Sequence, residues 1–122
     1  PKNSDMLTCK IKDVKATGSS TKNGFLVLKD SQAVLTERLS VKKYPYPSIL
    51  RSQLISEGVL TQKSDKLVFT KDYEFSSPSA AASVIHGGHA SGLREWKDVN
   101  GVSLKELEKK YMADNAMDSD EE

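Results

Sequence analysis

Residues 69–85 read FTKDYEFSSPSAAASVI, and this stretch decides the fold. Ser77 followed by Pro78 is typical of a helix start, because serine accepts a hydrogen bond from a free amide and proline needs no amide at the first helical position. The alanines continue the helix, and Gly87 and Gly88 end it. We therefore predict one short helix whose small side chains allow another backbone to come close.

Two strand patterns lie upstream of this helix. Leu7, Cys9 and Ile11 alternate with polar residues, which is the period of a half-buried strand, and residues 25–28 (FLVL) are typical of a buried strand. Residues 16–24 (ATGSSTKNG), which lie between the two patterns, are small and polar. We therefore expect an antiparallel hairpin with a long loop.

The middle of the chain predicts a helix followed by a hairpin. Residues 31–44 fit a strand or a short helix, and the pattern does not choose between them. Residues 44–47 (YPYP) predict a rigid extended segment, since each proline disfavours helical angles in the residue before it. A helix then opens at Pro47, ends at Gly58 and precedes a hairpin over residues 59–69. The side chains expected to face the core are Ile49, Leu50, Leu54 and Ile55.

The C-terminal third adds a further strand and a final helix. Residues 93–97 predict a strand, Asn100 and Gly101 predict a turn, and residues 103–106 (SLKE) form a capping box that opens a helix. The strands and helices follow each other without a β-α-β repeat. This order favours an α+β fold of antiparallel hairpins and about three short helices.

The length of 122 residues fits a single small domain. We assign residues 1–6 to a frayed N-terminus, 7–112 to the domain and 113–122 to an acidic disordered tail. No apolar run is long enough to cross a membrane, and the first residues do not resemble a secretory signal. The single cysteine, Cys9, cannot form an internal disulfide, which fits a reducing compartment. We therefore expect a cytoplasmic protein without a membrane partner.

The net charge of +1 conceals an uneven distribution of charge. The last ten residues contain five acidic residues and no basic one, so residues 1–112 carry 18 basic and 12 acidic side chains, a net charge of +6. A positively charged domain attracts polyanions at moderate salt. The charge therefore favours a polyanionic partner such as a nucleic acid, although the basic residues are spread along the chain.

Basic residues beside aromatic ones provide the candidate binding positions. The predicted phosphate contacts are Lys42, Lys43, Arg51, Arg94 and Lys97. Trp96 is the candidate for stacking on a base. The alternative is that Trp96 is a core residue and that the basic residues are ordinary surface charge.

Metal and enzyme chemistry have weaker support. His86 and His89 have the spacing of a metal-binding pair, to which Cys9 can add a third ligand, but histidines at a helix end also interact with the last carbonyl groups. The sequence contains no glycine-rich phosphate-binding motif and no known nucleophile motif. We expect no catalytic residue, no metal, no cofactor and no enzymatic activity.

Two segments of the chain resemble a known family. The second half carries the stronger resemblance, through residues 69–82, Gly92, residues 95–97 (EWK), Asn100, Gly101 and Leu104. The first half carries a weaker one, through residues 16–18, 24–29, Ser31, Arg51, residues 54–55 and residues 57–60. Together they resemble the small C-terminal domain of unknown function of GIY-YIG nuclease family proteins, which is similar to the RAMA type (restriction enzyme and adenine methylase associated). Leu93 departs from the pattern, because many relatives have a tryptophan there.

The resemblance implies a non-catalytic accessory module. Because domains of this family occur together with nucleases and methylases, it also implies DNA as the ligand. The chain itself contains no Gly-Ile-Tyr or Tyr-Ile-Gly motif. Our first hypothesis is therefore a nucleic-acid-binding accessory domain. The alternative is a protein-interaction or dimerisation module that uses an apolar face of the last helix, formed by Leu104, Leu107, Tyr111 and Met112.

Overall fold

Two antiparallel sheets frame the part of the chain that the computed structural model describes, residues 6–110. The first sheet contains, in hydrogen-bonded order, β1 (Leu7–Ile11), β2 (Val14–Thr21), β3 (Gly24–Val27) and β7 (Tyr73–Phe75). The second contains, again in hydrogen-bonded order, β4 (Gln32–Val34), β6 (Lys66–Phe69) and β5 (Leu60–Lys63). The predicted acidic tail and residues 1–5 of the predicted frayed N-terminus lie outside the described residues.

Helices pack against these sheets. A 3-10 helix (Leu39–Lys42) precedes α1 (Tyr46–Ser56), while α2 (Pro78–His86) and α3 (Gly92–Glu95) follow β7. A helix α4 begins at Leu104, and its described part ends at residue 110. The mixture of antiparallel sheets and short helices confirms the α+β prediction. Within residues 6–110, none of the helices is long and apolar enough to cross a membrane.

Helix α2 lies at the centre of the domain. It contacts α1 and α3 as well as strands of both sheets, and all of its residues from 80 to 86 are buried. Its predicted ends are confirmed: the Ser77 hydroxyl accepts a hydrogen bond from the Ala80 amide at 3.0 Å, and Gly87 ends the helix with φ +75°. Two aromatic rings, Phe25 and Trp96, complete the core with centroids 4.4 Å apart.

Strand β2 corrects the prediction of a long loop over residues 16–24. The strand continues to Thr21, and a tight turn leads from it into β3. At Gly18 the strand requires glycine because β3 lies very close. A Cβ atom added at Gly18 would be 2.4 Å from the Leu26 carbonyl oxygen and 2.6 Å from the Phe25 ring. Residues 16–21 therefore belong to a paired strand and not to a flexible connection.

The structure also settles two further segments, residues 31–44 and 93–97, for which the sequence pattern was ambiguous or misleading. The first segment contains both open alternatives, because β4 and the 3-10 helix follow each other. The second is not the predicted strand: residues 92–95 form α3, and Lys97 alone pairs with β1 through Thr8. Leu93 and Trp96 are three residues apart, which is the spacing of a helical turn, and the chain becomes extended only from Trp96 onward.

Helix α1 confirms the predicted core positions Leu50 and Leu54 but not Ile49 and Ile55. Ile49 and Ile55 are 63% and 49% exposed, whereas Arg51 and Leu54 are buried. The helix already begins at Tyr46, and the residue before it has helical angles, so residues 44–47 are not a continuous extended segment. The hairpin of β5 and β6 and the helix end at Gly58, with φ +78°, are confirmed.

Candidate functional site

Two lysines project from the outer face of the first sheet, and a third lies beside its β1 edge. Lys10 on β1 lies directly opposite Lys15 on β2, so both side chains extend from the same face. Thr8 shares that face, and two backbone hydrogen bonds of 2.7 and 3.0 Å join it to Lys97. The three exposed lysines line a cavity of about 460 Å³. We call this cavity, with Lys10, Lys15 and Lys97, the basic groove.

Two carboxylates also line the basic groove, and each is engaged within the fold. Oδ1 of Asp98 accepts hydrogen bonds from the amides of Asn100 and Val102, both at 2.9 Å, and thereby holds the turn. Oε1 of Glu95 lies 3.3 Å from Nε2 of His86. The acidic groups therefore shape the groove, while the lysine side chains are exposed to solvent.

The other predicted surface residues lie away from this cavity. Lys42 and Lys43 are exposed at the end of the 3-10 helix, where the Lys43 ammonium lies 5.7 Å from the centre of the Tyr44 ring. Arg94 is exposed on α3. None of these three lines the basic groove. Lys97 is thus the one predicted phosphate contact that the structure places there.

The prediction that Arg51 contacts a phosphate is wrong, because the side chain is buried. It is only 2% exposed, and its guanidinium group donates hydrogen bonds to the carbonyl oxygens of Val34 and, at 3.3 Å, of Leu35. Glu37 lies 3.9 Å away, and burial lowers the pKa of Arg51 although that carboxylate opposes the shift. The side chain ties α1 to the end of β4 and cannot reach a phosphate in this conformation.

Trp96 is likewise removed from the candidate surface. The side chain is 0% exposed, its ring packs on Phe25, and its Nε1 donates a hydrogen bond to the Pro78 carbonyl oxygen at 3.1 Å. A buried ring has no face on which a base can stack. The alternative interpretation of Trp96 as a core residue is the one that the geometry supports.

The connection between α2 and α3 brings two distant side chains together. It folds back along α2, since the Ala90 amide donates to the Ser83 hydroxyl at 3.1 Å and the Gly92 amide donates to the Ser79 hydroxyl at 2.9 Å. A Cβ atom at Gly92 would be 2.2 Å from the Pro78 carbonyl carbon, so this close approach requires glycine. The result is that Glu95, at the end of α3, lies beside His86.

Cys9, His86 and Glu95 form a cluster between β1, α2 and α3. Sγ of Cys9 is 3.5 Å from Nε2 of His86, and the same nitrogen is 3.3 Å from Oε1 of Glu95. Cys9 and His86 are buried, whereas Glu95 is partly exposed because it lines the basic groove. Within residues 6–110, this is the group of three whose ligand atoms approach within 4.8 Å of one another.

The electrostatics of the cluster do not favour a nucleophilic enzyme. Burial raises the pKa of the Cys9 thiol to about 12, and burial lowers the pKa of His86 although Glu95 acts against this shift. In a cysteine–histidine–carboxylate triad, the carboxylate orients the ring through the nitrogen that does not face the nucleophile. Here thiol and carboxylate face the same nitrogen, so the arrangement is not that of an activated thiol.

Sequence reasoning missed three of these residues. Lys10 alternates with apolar residues in β1, so the sequence pattern indicates that it is exposed. Lys15 gave no such signal, because the segment that follows it is typical of a loop. Glu95 was assigned to a strand, which concealed its approach to His86. His89, the predicted companion of His86, instead has its ring 5.5 Å from that of Tyr44.

Comparison with known protein families supplies a family for this fold. A family model described as "Domain of unknown function (DUF4357)" matches residues 7–108. The chain belongs to the DUF4357 family. No curated protein and no solved structure matches the chain.

The DUF4357 match extends from the first residue of β1 into α4. It therefore includes both sheets, the basic groove and the Cys9, His86 and Glu95 cluster. These features lie within the DUF4357 domain and not in segments appended to it.

Proposed function

We propose that this DUF4357 domain is a non-catalytic accessory module that binds DNA through the basic groove. The observation that carries the proposal is the convergence of Lys10, Lys15 and Lys97 on one cavity beside the first sheet. Ammonium groups in a concave surface attract phosphates, which supply most of the sequence-independent affinity for a duplex.

The pairing of Lys10 with Lys15 supports this proposal. Like charges directly opposite each other destabilise an antiparallel sheet, and within residues 6–110 neither lysine forms an ion pair. Lys63 and Lys66 also face each other, but Asp13 lies 3.3 Å from the Lys66 ammonium and compensates that pair. Among the described residues, no carboxylate is held against Lys10 or Lys15 as Asp13 is held against Lys66, so a bound phosphate can remove the repulsion between them.

The wider context is also part of the proposal. The similarity of residues 69–82 and of the segment around Trp96 to RAMA-type domains and to the C-terminal domain of GIY-YIG nuclease proteins supports a role beside nucleases or DNA-modifying enzymes. The charge of +6 on residues 1–112 agrees with a DNA ligand. The proposed module supplies binding and positioning, while the catalytic step belongs to another domain or protein.

The test is a fluorescence anisotropy titration of the full chain against labelled duplex DNA, plain and adenine-methylated, at several salt concentrations. We expect binding that weakens as salt rises. The Lys10→Gln, Lys15→Gln, Lys97→Gln triple variant should reduce the slope of log K against log salt by about 2 to 3, because each phosphate contact contributes about 0.9. Different affinities for the two duplexes would indicate recognition of the modification.

The matched control replaces three exposed lysines elsewhere, Lys63, Lys71 and Lys105, by glutamine. It has the same net charge as the groove variant and should bind nearly as tightly as the wild-type chain. Equal losses in the two triple variants would show that overall charge, and not the basic groove, determines binding. The absence of wild-type binding at low salt would overturn the proposal.

A second candidate function, protein interaction or dimerisation, draws its support from helix α1, because the described half of the predicted face is turned into the core. Leu104 is buried and Leu107 packs against the core, while Tyr111 and Met112 lie outside the described residues. Tyr46 and Ile49, one turn apart on α1, are 52% and 63% exposed and favour this helix as the contact. Concentration-dependent mass in light scattering that Ile49→Lys abolishes would support this alternative.

A further inference from the structure

The cluster of Cys9, His86 and Glu95 has a chemistry that DNA binding does not use. The three residues belong to β1, α2 and α3, and Cys9 and His86 are 77 positions apart in the sequence. A thiol, an imidazole and a carboxylate that meet at the edge of a hydrophobic core are the ligand types of a zinc site. The proposed DNA contacts do not include any of them.

The contacts among the three groups meet at a single nitrogen, which serves both partners only through one shared, weaker three-centre hydrogen bond. Nε2 of His86 faces both the thiol and the carboxylate, at 3.5 and 3.3 Å. In neutral imidazole this nitrogen either donates one hydrogen or accepts one, and it cannot do both. If it donates to Glu95 it does not accept from the Cys9 thiol, and if it accepts from the thiol its lone pair opposes the carboxylate. A cation between the three groups satisfies all of them at once.

Two of the three distances between the ligand atoms fit a tetrahedral ion. Bonds of about 2.3 Å to sulfur and about 2.0–2.2 Å to nitrogen and oxygen, at tetrahedral angles, separate sulfur from nitrogen by about 3.6 Å and nitrogen from oxygen by about 3.3–3.5 Å. The corresponding separations here are 3.5 and 3.3 Å. The remaining separation, from Sγ of Cys9 to the Glu95 carboxylate, is at most 4.8 Å, whereas a tetrahedral ion requires about 3.6 Å, so metal binding includes a shift of the partly exposed Glu95 side chain toward Cys9.

The donor set selects the metal. Thiolate is a poor ligand for Mg²⁺ and Ca²⁺, which prefer oxygen, whereas Zn²⁺ binds sulfur, nitrogen and oxygen together. We propose that Cys9, His86 and Glu95 bind one Zn²⁺ ion, which joins β1 to α2 and α3 at the edge of the basic groove. Three protein ligands leave a fourth position for water or another donor, as in zinc sites that remain open.

Metal binding is tested on the full chain, purified without a polyhistidine tag and stripped of metal by a chelator. After loading and dialysis we expect one zinc per chain. With Co²⁺ we expect the visible absorption of a tetrahedral ion together with a near-ultraviolet band from thiolate-to-cobalt charge transfer. Less than one zinc per chain in excess metal, or a cobalt spectrum without the thiolate band, would overturn the proposal.

Three variants and a matched control assign the ligands. Loss of even an outer partner of a zinc ligand weakens metal binding by about 10–100-fold, so Cys9→Ser, His86→Gln and Glu95→Gln should each weaken it by more than about 100-fold. Glu95→Gln carries the test if either buried variant fails to fold, because its side chain is partly exposed. The control His89→Gln changes the other histidine of the chain and should bind zinc like the wild type. Equal losses in His89→Gln and Glu95→Gln would contradict the assignment.

Discussion

Arg51 and the lysines of the basic groove carry the same charge in opposite surroundings. Arg51 is 2% exposed and donates hydrogen bonds to backbone carbonyls at the end of β4. Lys10, Lys15 and Lys97 are exposed and converge on a cavity in which two of them face each other. The sequence counts all of them as positive charge. The comparison teaches that acceptors within the fold, and not charge itself, separate a structural basic residue from one that is available to a ligand.

The largest effect is expected from Arg51→Met. The substitution removes the hydrogen bond to the buried Val34 carbonyl oxygen and the one to the part-buried Leu35 carbonyl oxygen, and a buried acceptor that loses its hydrogen bond costs about 1–3 kcal/mol. We expect the free energy of unfolding to fall by about 3 kcal/mol in urea denaturation. Lys97→Met is the control and should change it by less than about 0.5 kcal/mol. Similar losses of unfolding free energy in both variants would show that the two basic residues do not differ in structural role.

Trp96→Phe tests the second residue that proved to be buried. The variant loses the hydrogen bond to the Pro78 carbonyl and leaves a void beside Phe25. We expect a loss of about 2 kcal/mol in the free energy of unfolding, with DNA affinity unchanged in the folded variant. In the wild-type chain, the emission of this single tryptophan should be that of a buried indole. Strong quenching on addition of DNA would show instead that the ring contacts a base.

Lys10→Gln should act on stability in the opposite direction from Arg51→Met. It removes the repulsion between Lys10 and Lys15, so the free energy of unfolding should rise by about 0.2–1 kcal/mol. The same substitution should weaken DNA binding, because it removes a phosphate contact. Lys63→Gln is the control, since its partner Lys66 is already compensated by Asp13. If Lys10→Gln instead destabilises the domain, the two lysines do not repel each other as proposed.

The parts of the fold that depend on local chemistry were predictable from the sequence. The Ser77 cap, the left-handed glycine after His86 and the alternation of β1 each act over a few residues, and all were read correctly. Strand β2 could not be predicted because small polar residues are also typical of loops. The close approach of β3, which makes glycine necessary at position 18, exists only in the folded sheet. The same holds for α3, whose position depends on the contact of Gly92 with the start of α2.

The candidate sites were less predictable because they depend on long-range contacts. Lys97 was identified, but Lys10 and Lys15 join it only through the pairing of β1 with β2 and the bridge at Thr8. The burial of Arg51 depends on carbonyl groups 16 and 17 residues away. Cys9 and His86 are 77 positions apart, and no spacing rule relates them.

The smallest effect is expected from deletion of residues 113–122. The deletion removes five acidic side chains and changes the net charge from +1 to +6. We expect DNA affinity to rise by a few fold at low salt and the difference to vanish at high salt, because long-range charge effects are screened. The comparison is made by anisotropy on the full and shortened chains. An increase that persists at high salt would indicate direct competition by the tail for the groove and not a general charge effect.

The central claim is that the exposed lysines, and not the buried arginine, contact phosphates. It is tested most directly by the salt dependence of duplex binding for Lys97→Gln and Arg51→Met, at a temperature at which circular dichroism shows both variants folded. We predict that the slope of log K against log salt falls by about 0.9 for Lys97→Gln and is unchanged for Arg51→Met. An unchanged slope for Lys97→Gln together with a reduced one for Arg51→Met would contradict the account.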